Sequence, residues 1–308
     1  MEKGQRVIRI ANAPVSYGVF ELARPDLVAL PDGEQLARWI SEAGYQGIDL
    51  GPVGLLGQGA ELDERLSRHG LDLAGGWVDL PFAGEDEEFA AALAGLDRTL
   101  DVFVTAADRG QDLAPLPTLA DSGSPARKAR PGGAPELTLR GAAWDRFADR
   151  VNSAAARVRD RGLEPTFHHH ACTHVETPEE IDALLASTDV DLTFDSGHLL
   201  IGGGDPLPDY RRWRERINHL HLKDARTALL HDALAADDPM RSVWEKRVFV
   251  PLGEGDLAVD ALLDEIVASG YSGWLIVEQD VVPRSTADVE RAVAEQAANR
   301  EALRRWFA

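Results

Sequence analysis

Val190-Asp-Leu-Thr-Phe-Asp195-Ser-Gly-His198 is the stretch that decides the fold. A short, β-rich apolar run ends abruptly in an aspartate, a glycine and a histidine. Three other segments repeat this design. Pro165–Phe167 leads into His168-His169-His170 and, further on, Glu176; Ile217–Leu222 carries His219 and His221 and leads into Lys223-Asp224; Trp274–Val277 leads into Glu278-Gln279-Asp280. Oxygen and nitrogen donors at the C-terminal ends of successive strands are what a metal site in a parallel β/α barrel requires. Seven of the nine histidines lie between His168 and His221, a crowding that random scatter would not produce.

Outward from these segments, strand-like and helix-like stretches alternate along the chain. The expected order begins with a strand at Val7–Val15, a helix at Gly33–Ala43 with Leu36, Ile40 and Ala43 on one face, and a strand at Gly47–Leu50. A helix at Leu62–His69, closed by Gly70, follows, then a strand at Leu71–Trp77, a helix at Glu85–Leu96 and a fourth strand at Val102–Ala106. Trp144–Arg161 is amphipathic, with Trp144, Phe147, Val151 and Val158 on one stripe. Thr177-Pro178-Glu179-Glu180 predicts a capping box that starts a helix running to Ala186. Asp256–Ser269, the strand at Trp274 and a last helix from Thr286 finish the series. Repeated βα units imply a parallel sheet with right-handed crossovers, and eight of them imply closure into a single (β/α)8 barrel, an α/β TIM barrel. A doubly wound open sheet is the alternative, but no glycine-rich phosphate loop follows the first strand. One domain over residues 1–308 accounts for the length. Arg109–Glu136 interrupts the rhythm: rich in Pro, Gly, Ala and Ser, with basic Arg127, Lys128 and Arg130, it reads as a flexible insertion after the fourth strand, either tolerated or acting as a lid. A second excursion, Arg226–Phe249, reads as helical at Leu229–Leu234 and Ser242–Lys246.

Composition narrows the partners. The chain is 44% apolar, enough for a full core, and carries a net charge of −20. That charge repels nucleic acid and anionic membrane and favours a small-molecule substrate. The one cysteine, Cys172, excludes an intrachain disulfide and fits a reducing, cytoplasmic setting. The opening Met1–Arg6 shows no signal-peptide apolar region, and no run of about 18 apolar residues occurs. A homo-oligomer is left open.

Parity sorts the site. His219, His221 and Lys223 share one face of a strand, and His168 and His170 share another. Asp195 and His198 are three apart, so a turn at Gly197 must bring both to one pocket. Glu278 at a strand end is costly to bury unless a cation or hydrogen bonds meet it. Carboxylate oxygen with imidazole nitrogen suits Zn2+, Mn2+, Co2+ or Fe2+, and a lone cysteine excludes a thiolate-rich site. Cys172 reads as a small buried hydrophobe.

These motifs resemble the xylose-isomerase-like sugar isomerase/epimerase superfamily of metal-dependent barrels, and within it the inosose dehydratase (2-keto-myo-inositol dehydratase) branch. The resemblance rests on Ile10-Ala-Asn-Ala-Pro-Val-Ser-Tyr-Gly18, Leu50-Gly-Pro52, His168 to Thr177, Asp195 to Gly203, His219 to Asp224, Pro251-Leu-Gly-Glu-Gly-Asp256 and Gly273 to Asp280. It implies a metal held by Asp195, His221 and Glu278. His168 stands where the superfamily has a fifth-strand glutamate, and Glu176 is the alternative fourth ligand. Mn2+ or Co2+ is expected first, Zn2+ or Fe2+ second. The implied reaction is dehydration of a keto-cyclitol such as scyllo-inosose through an enolate, in inositol catabolism. A sugar or inosose isomerase/epimerase is the alternative enzyme, and a non-catalytic sugar-binding or partner subunit is the alternative of another class. His198, Lys223 and His170 are the expected catalytic residues, and Tyr17, His219, Asp224 and Arg226 the expected substrate contacts. Two departures fall near the site: Cys172 stands where the dehydratase motif usually has glycine, and Tyr17 where it usually has tryptophan.

Overall fold

A computed structural model describes residues 7–307; the opening hexapeptide, on which the reading of a missing signal peptide rests, lies outside the described residues. Ten strands run in chain order: β1 Ile8–Asn12, β2 Gly47–Asp49, β3 Asp72–Leu80, β4 Leu116–Asp121, β5 Thr166–His168, β6 Asp191–Asp195, β7 Ile217–Leu222, β8 Asp224–Ala225, β9 Phe249–Val250 and β10 Gly273–Val277. Eight of them close into a parallel barrel in the order β1-β10-β7-β6-β5-β4-β3-β2, while β8 and β9 form a separate antiparallel ribbon. The helices are α1 Gly33–Glu42, α2 Ala60–His69, α3 Asp86–Ala107, α4 Pro125–Lys128, α5 Ala142–Asp160, α6 Pro178–Ser187, α7 Ser196–Ile201, α8 Pro206–Trp213, α9 Ala228–Leu234, α10 Pro239–Glu245, α11 Val259–Ser269 and α12 Thr286–Ala302. Among the described residues no helix is long and apolar enough to cross a membrane.

The sequence signals act as expected at most ends. Thr177 and Glu180 form the reciprocal capping box of α6, and Gly70 closes α2 in the left-handed conformation. The main core lies between the barrel and its helices, with Leu36, Ile48, Leu73, Phe103, Phe147, Phe167, Phe194 and Leu275 fully or almost fully buried. The barrel interior is floored by Trp274, Ile276, Ala11 and Ala74. Gly47 makes room for that floor, since a Cβ there would lie 2.7 Å from the Trp274 ring.

Two expectations need correction. The fourth strand is not Val102–Ala106. Those residues end α3, whose buried Phe89, Leu96, Leu100 and Phe103 keep helical spacing over 22 residues. The fourth strand is Leu116–Asp121, inside the segment read as a flexible insertion, and all but its first residue are buried. The rest of that segment is also pinned. Arg127 is fully buried, donates to the Glu180 carboxylate and to the Leu137 carbonyl (3.2 Å), and stands 4.0 Å from Glu176.

Candidate active site

Four side chains converge at the C-terminal mouth of the barrel. His168 ends β5, Asp195 ends β6, His221 lies on β7, and Glu278 follows β10. One donor atom from each lies within 4.8 Å of all the others, and all four residues are buried. His168 Nε2 is 3.2 Å from His221 Nδ1, which is 3.1 Å from Glu278 Oε2. Asp195 Oδ2 is 3.5 Å from His168 Nε2 and 3.7 Å from His221 Nδ1.

The chemistry of this donor set fits a divalent cation. His168 Nδ1 lies 2.5 Å from the His169 carbonyl, so that nitrogen carries the proton and Nε2 presents a lone pair to the cluster. Burial holds His168 below its ordinary range, which keeps it neutral. Burial raises Glu278, but His221 and Lys223 beside it outweigh that and hold it ionised. Asp195 divides its oxygens. Oδ1 caps α7 by accepting the Gly197 and His198 amides at 2.8 Å each, while buried Oδ2 faces the other donors and the Lys223 ammonium.

Lys223 is the resident charge. Its ammonium stands 3.0 Å from Glu278, 3.3 Å from Asp195, 2.8 Å from Asp280 and 3.1 Å from His198 Nε2. Burial would lower its pKa, but Asp195, Asp280 and Glu278 together push it up, so it remains a cation. The turn after Asp195 gives it passage: a Cβ on Gly197 would lie 2.6–2.9 Å from three carbons of the Lys223 chain. The Phe249 ring lies 5.0 Å from the ammonium.

A second group, His170, His198 and Asp280, also brings its donors within 4.8 Å of one another. Here the positive charge is already supplied. Asp280 holds the Lys223 ammonium through one oxygen and accepts the Trp244 indole N–H at 3.0 Å through the other. The His170 and His198 rings lie with centroids 3.7 Å apart, and burial holds both well below the usual imidazole range. Trp77 meets His170 edge-on at 4.9 Å and Trp244 stacks beside it at 6.1 Å, so aromatic faces wall the mouth.

The structure therefore gathers His168, Asp195, His221, Glu278, His170, His198 and Lys223, and places His219 deeper in the barrel beside His221. It does not gather the others. Glu176, the alternative ligand, is turned away, with Oε1 accepting the Gly132 and Cys172 amides at 2.7 and 3.1 Å. Tyr17 is buried in the apolar core with its ring 6.0 Å from Trp39. Asp224 is saturated by the amides of Ala225, Gly253, Gly255 and Leu257 at 2.8–3.0 Å, which staples β8 to the loop after β9. Arg226 is exposed and donates to the Glu254 carbonyl. Sequence reasoning quoted Asp280 in its motif without giving it a role, and overlooked Trp77 and Trp244. Asp280 was legible by parity, being two residues beyond Glu278. Trp244 was not, because only the β8–β9 ribbon brings its helix to the mouth.

A family model described as xylose isomerase-like TIM barrel matches residues 37–306. The rhizopine catabolism protein MocC of Rhizobium meliloti is 33% identical over 283 residues, covering 90% of this chain and 82% of that protein. An inosose dehydratase of Geobacillus kaustophilus is 28% identical over 293 residues, covering 92% of this chain and 91% of its own. Among solved structures, the probable 3-DHS dehydratase AsbF from Bacillus anthracis superposes with a TM-score of 0.66 at 15% identity, over 94% of this chain and 97% of that one, a likeness of fold. The closed eight-stranded barrel and the match over most of its length agree: this chain belongs to the xylose isomerase-like TIM-barrel family.

Proposed function

We propose that the protein is a divalent-cation-dependent hydro-lyase that removes water from a keto-cyclitol such as scyllo-inosose, within inositol catabolism in the cytoplasm. The observation that carries this reading is the placement of two neutral imidazoles, His170 and His198, directly beside the four-donor cluster and the Lys223 ammonium. The names of the relatives support it: an inosose dehydratase aligns over 92% of this chain.

A Mn2+ or Co2+ ion held by His168, Asp195, His221 and Glu278 would polarise the substrate ketone and lower the cost of charge on its oxygen. The remaining steps belong to the chain's own groups. An imidazole takes the proton α to the ketone, and the electron pair of that C–H bond moves into the enolate. As the enolate collapses, a C=C bond forms, the neighbouring C–O bond breaks, and the departing hydroxyl takes a proton to leave as water. His198 is placed for one of these transfers and His170 for the other, because both are neutral and next to the cluster. Lys223 can only donate, so it orients His198 through Nε2 and offers positive charge to a developing oxyanion. Asp280 and Trp244 hold Lys223 and Asp280 in turn. Trp77 and Trp244 limit water at the mouth.

The test is to incubate the protein with Mn2+ or Co2+ and a panel of inososes and keto-sugars, followed by mass spectrometry. Loss of one water is the expected outcome. Retention of mass with altered configuration would establish an isomerase or epimerase instead, and no turnover of any member by the metal-loaded protein would favour a sugar-binding or partner subunit.

A further inference from the structure

Beneath the four-donor cluster lies a polar layer that this chemistry does not use. Asp49 ends β2, and His219 stands two residues before His221 on β7; both are buried. Asp49 Oδ1, both ring nitrogens of His219 and Nε2 of His221 find no hydrogen-bond partner among the described residues. Buried polar atoms are nearly always paired, so such a group of orphans in one place needs an explanation.

The backbone is shaped to put Asp49 there. Ile48 pairs with Leu73, but the next pair is Asp49 with Gly75, so Ala74 is an extra residue on β3. A bulge of this kind re-aims side chains. The residue it sets opposite Asp49 is a glycine, which leaves the side chains room. A Cβ at Gly75 would lie 3.0 Å from Asp49 Oδ1 and 3.0 Å from His219 Nε2. His219 stands beside His221, with ring centroids 5.2 Å apart. His221 in turn directs Nδ1 at Glu278 and His168. For that nitrogen to offer a lone pair, the ring proton must sit on Nε2, the nitrogen left without a partner.

We propose that Asp49 is a positioning residue that receives the His221 Nε2–H across one water shared with His219, and so fixes His221 with its Nδ1 lone pair facing the cluster. The inference rests on the reading of His168, Asp195, His221 and Glu278 as a divalent-cation site. Carboxylates that orient a ligating histidine in this way set both its tautomer and its basicity.

Co2+ affinity, measured on the stripped protein by competition with a chromophoric chelator, tests it. Asp49→Ala is expected to weaken binding about 10–100-fold and Asp49→Asn about 3–10-fold, while Asp195→Ala abolishes it. Long-range 1H–15N spectra of the Zn2+-loaded wild type are expected to show His221 protonated at Nε2. A merely structural Asp49 would lower the melting temperature of the stripped protein and leave Co2+ affinity unchanged, and that result overturns the proposal, as does a His221 proton on Nδ1. Should Asp49→Ala fail to fold, the isosteric Asp49→Asn decides, with unchanged affinity counting against. If wild type binds no Co2+, or Asp195→Ala binds it equally well, the cation-site reading falls and this proposal with it. If those two controls behave and only the Asp49 variants bind normally, this proposal falls alone.

Discussion

Cys172, read from the sequence as a small buried hydrophobe, is buried as expected, and its backbone adds a reason for its place. It stands where the motif it resembles usually has glycine. In the structure it is buried with φ at 71°, a left-handed backbone that glycine adopts without strain. The preference for glycine at this place thus has a conformational cause, in a turn whose Cys172 amide is tied to Glu176. His198 is the residue whose role is most open to measurement. Its Nε2 meets the Lys223 ammonium, and its ring is fully buried against His170. His198→Gln should keep its Co2+ and lose about 10²–10⁴-fold in turnover. If His198 takes the carbon-bound proton, the variant will also stop exchanging that proton with deuterium from solvent. Exchange without elimination would make His198 the acid, and near-normal turnover would remove it from the reaction.

At the scale of elements, the instructive piece is β4 and the chain after it. Val102-Phe-Val-Thr-Ala106 is β-branched and apolar, so it imitates a strand; the helical spacing that begins at Phe89 outweighs local preference. Leu116–Asp121 escapes notice because Pro117, which cannot donate to a ladder, argues against a central strand, yet it pairs opposite Gly76. The strand ends at β5, β6, β7 and β10 were legible because their donors stand at regular parity after apolar runs. Asp49 was not, since the extra residue that aims it is a pairing property and leaves no mark in one strand's sequence. The connection after β4 depends on Arg127, whose guanidinium is enclosed by Glu180 and the Leu137 carbonyl. Arg127→Ala should destabilise the protein by about 3–5 kcal/mol, because buried carboxylates lose their counter-charge. Chemical denaturation measures this, and a loss under about 1 kcal/mol would mean the connection contributes little. Glu176 in the same region is pushed up to about 7 by burial, with the Gly132 and Cys172 amides pulling weakly the other way. A carboxyl raised in the folded state favours folding below its ordinary range and loses that contribution as pH rises through 7. Glu176→Gln should therefore melt higher than wild type at about pH 8, by about 1–3 kcal/mol of stability, with little difference near pH 5. It should also keep its Co2+, which a ligand at this position would not allow.

For the whole molecule, the net charge of −20 sets the response to salt. Many ion pairs decorate the surface, such as Arg157 with Asp97 and Arg305 with Asp260, but exposed pairs contribute little. Self-repulsion dominates, so raising KCl from about 0.02 M to about 0.5 M, well past the range where screening begins, should raise the melting temperature by about 2 °C or more. A fall would show that the surface pairs outweigh the repulsion. The alternation of elements and the closure of the barrel were legible from the order of apolar runs, and so were the two helices of the excursion after β8; the β8–β9 ribbon that carries Trp244 and Phe249 to the mouth was not, because an antiparallel ribbon two residues long has almost no sequence signature.

Asp195 joins these scales, since one carboxylate both caps α7 and faces the donor cluster. Whatever settles on Oδ2 also stiffens the side chain that holds the Gly197 and His198 amides on Oδ1. Those two backbone protons therefore act as a built-in gauge of occupancy: their hydrogen-exchange rates should slow when the cluster is loaded and quicken when it is stripped.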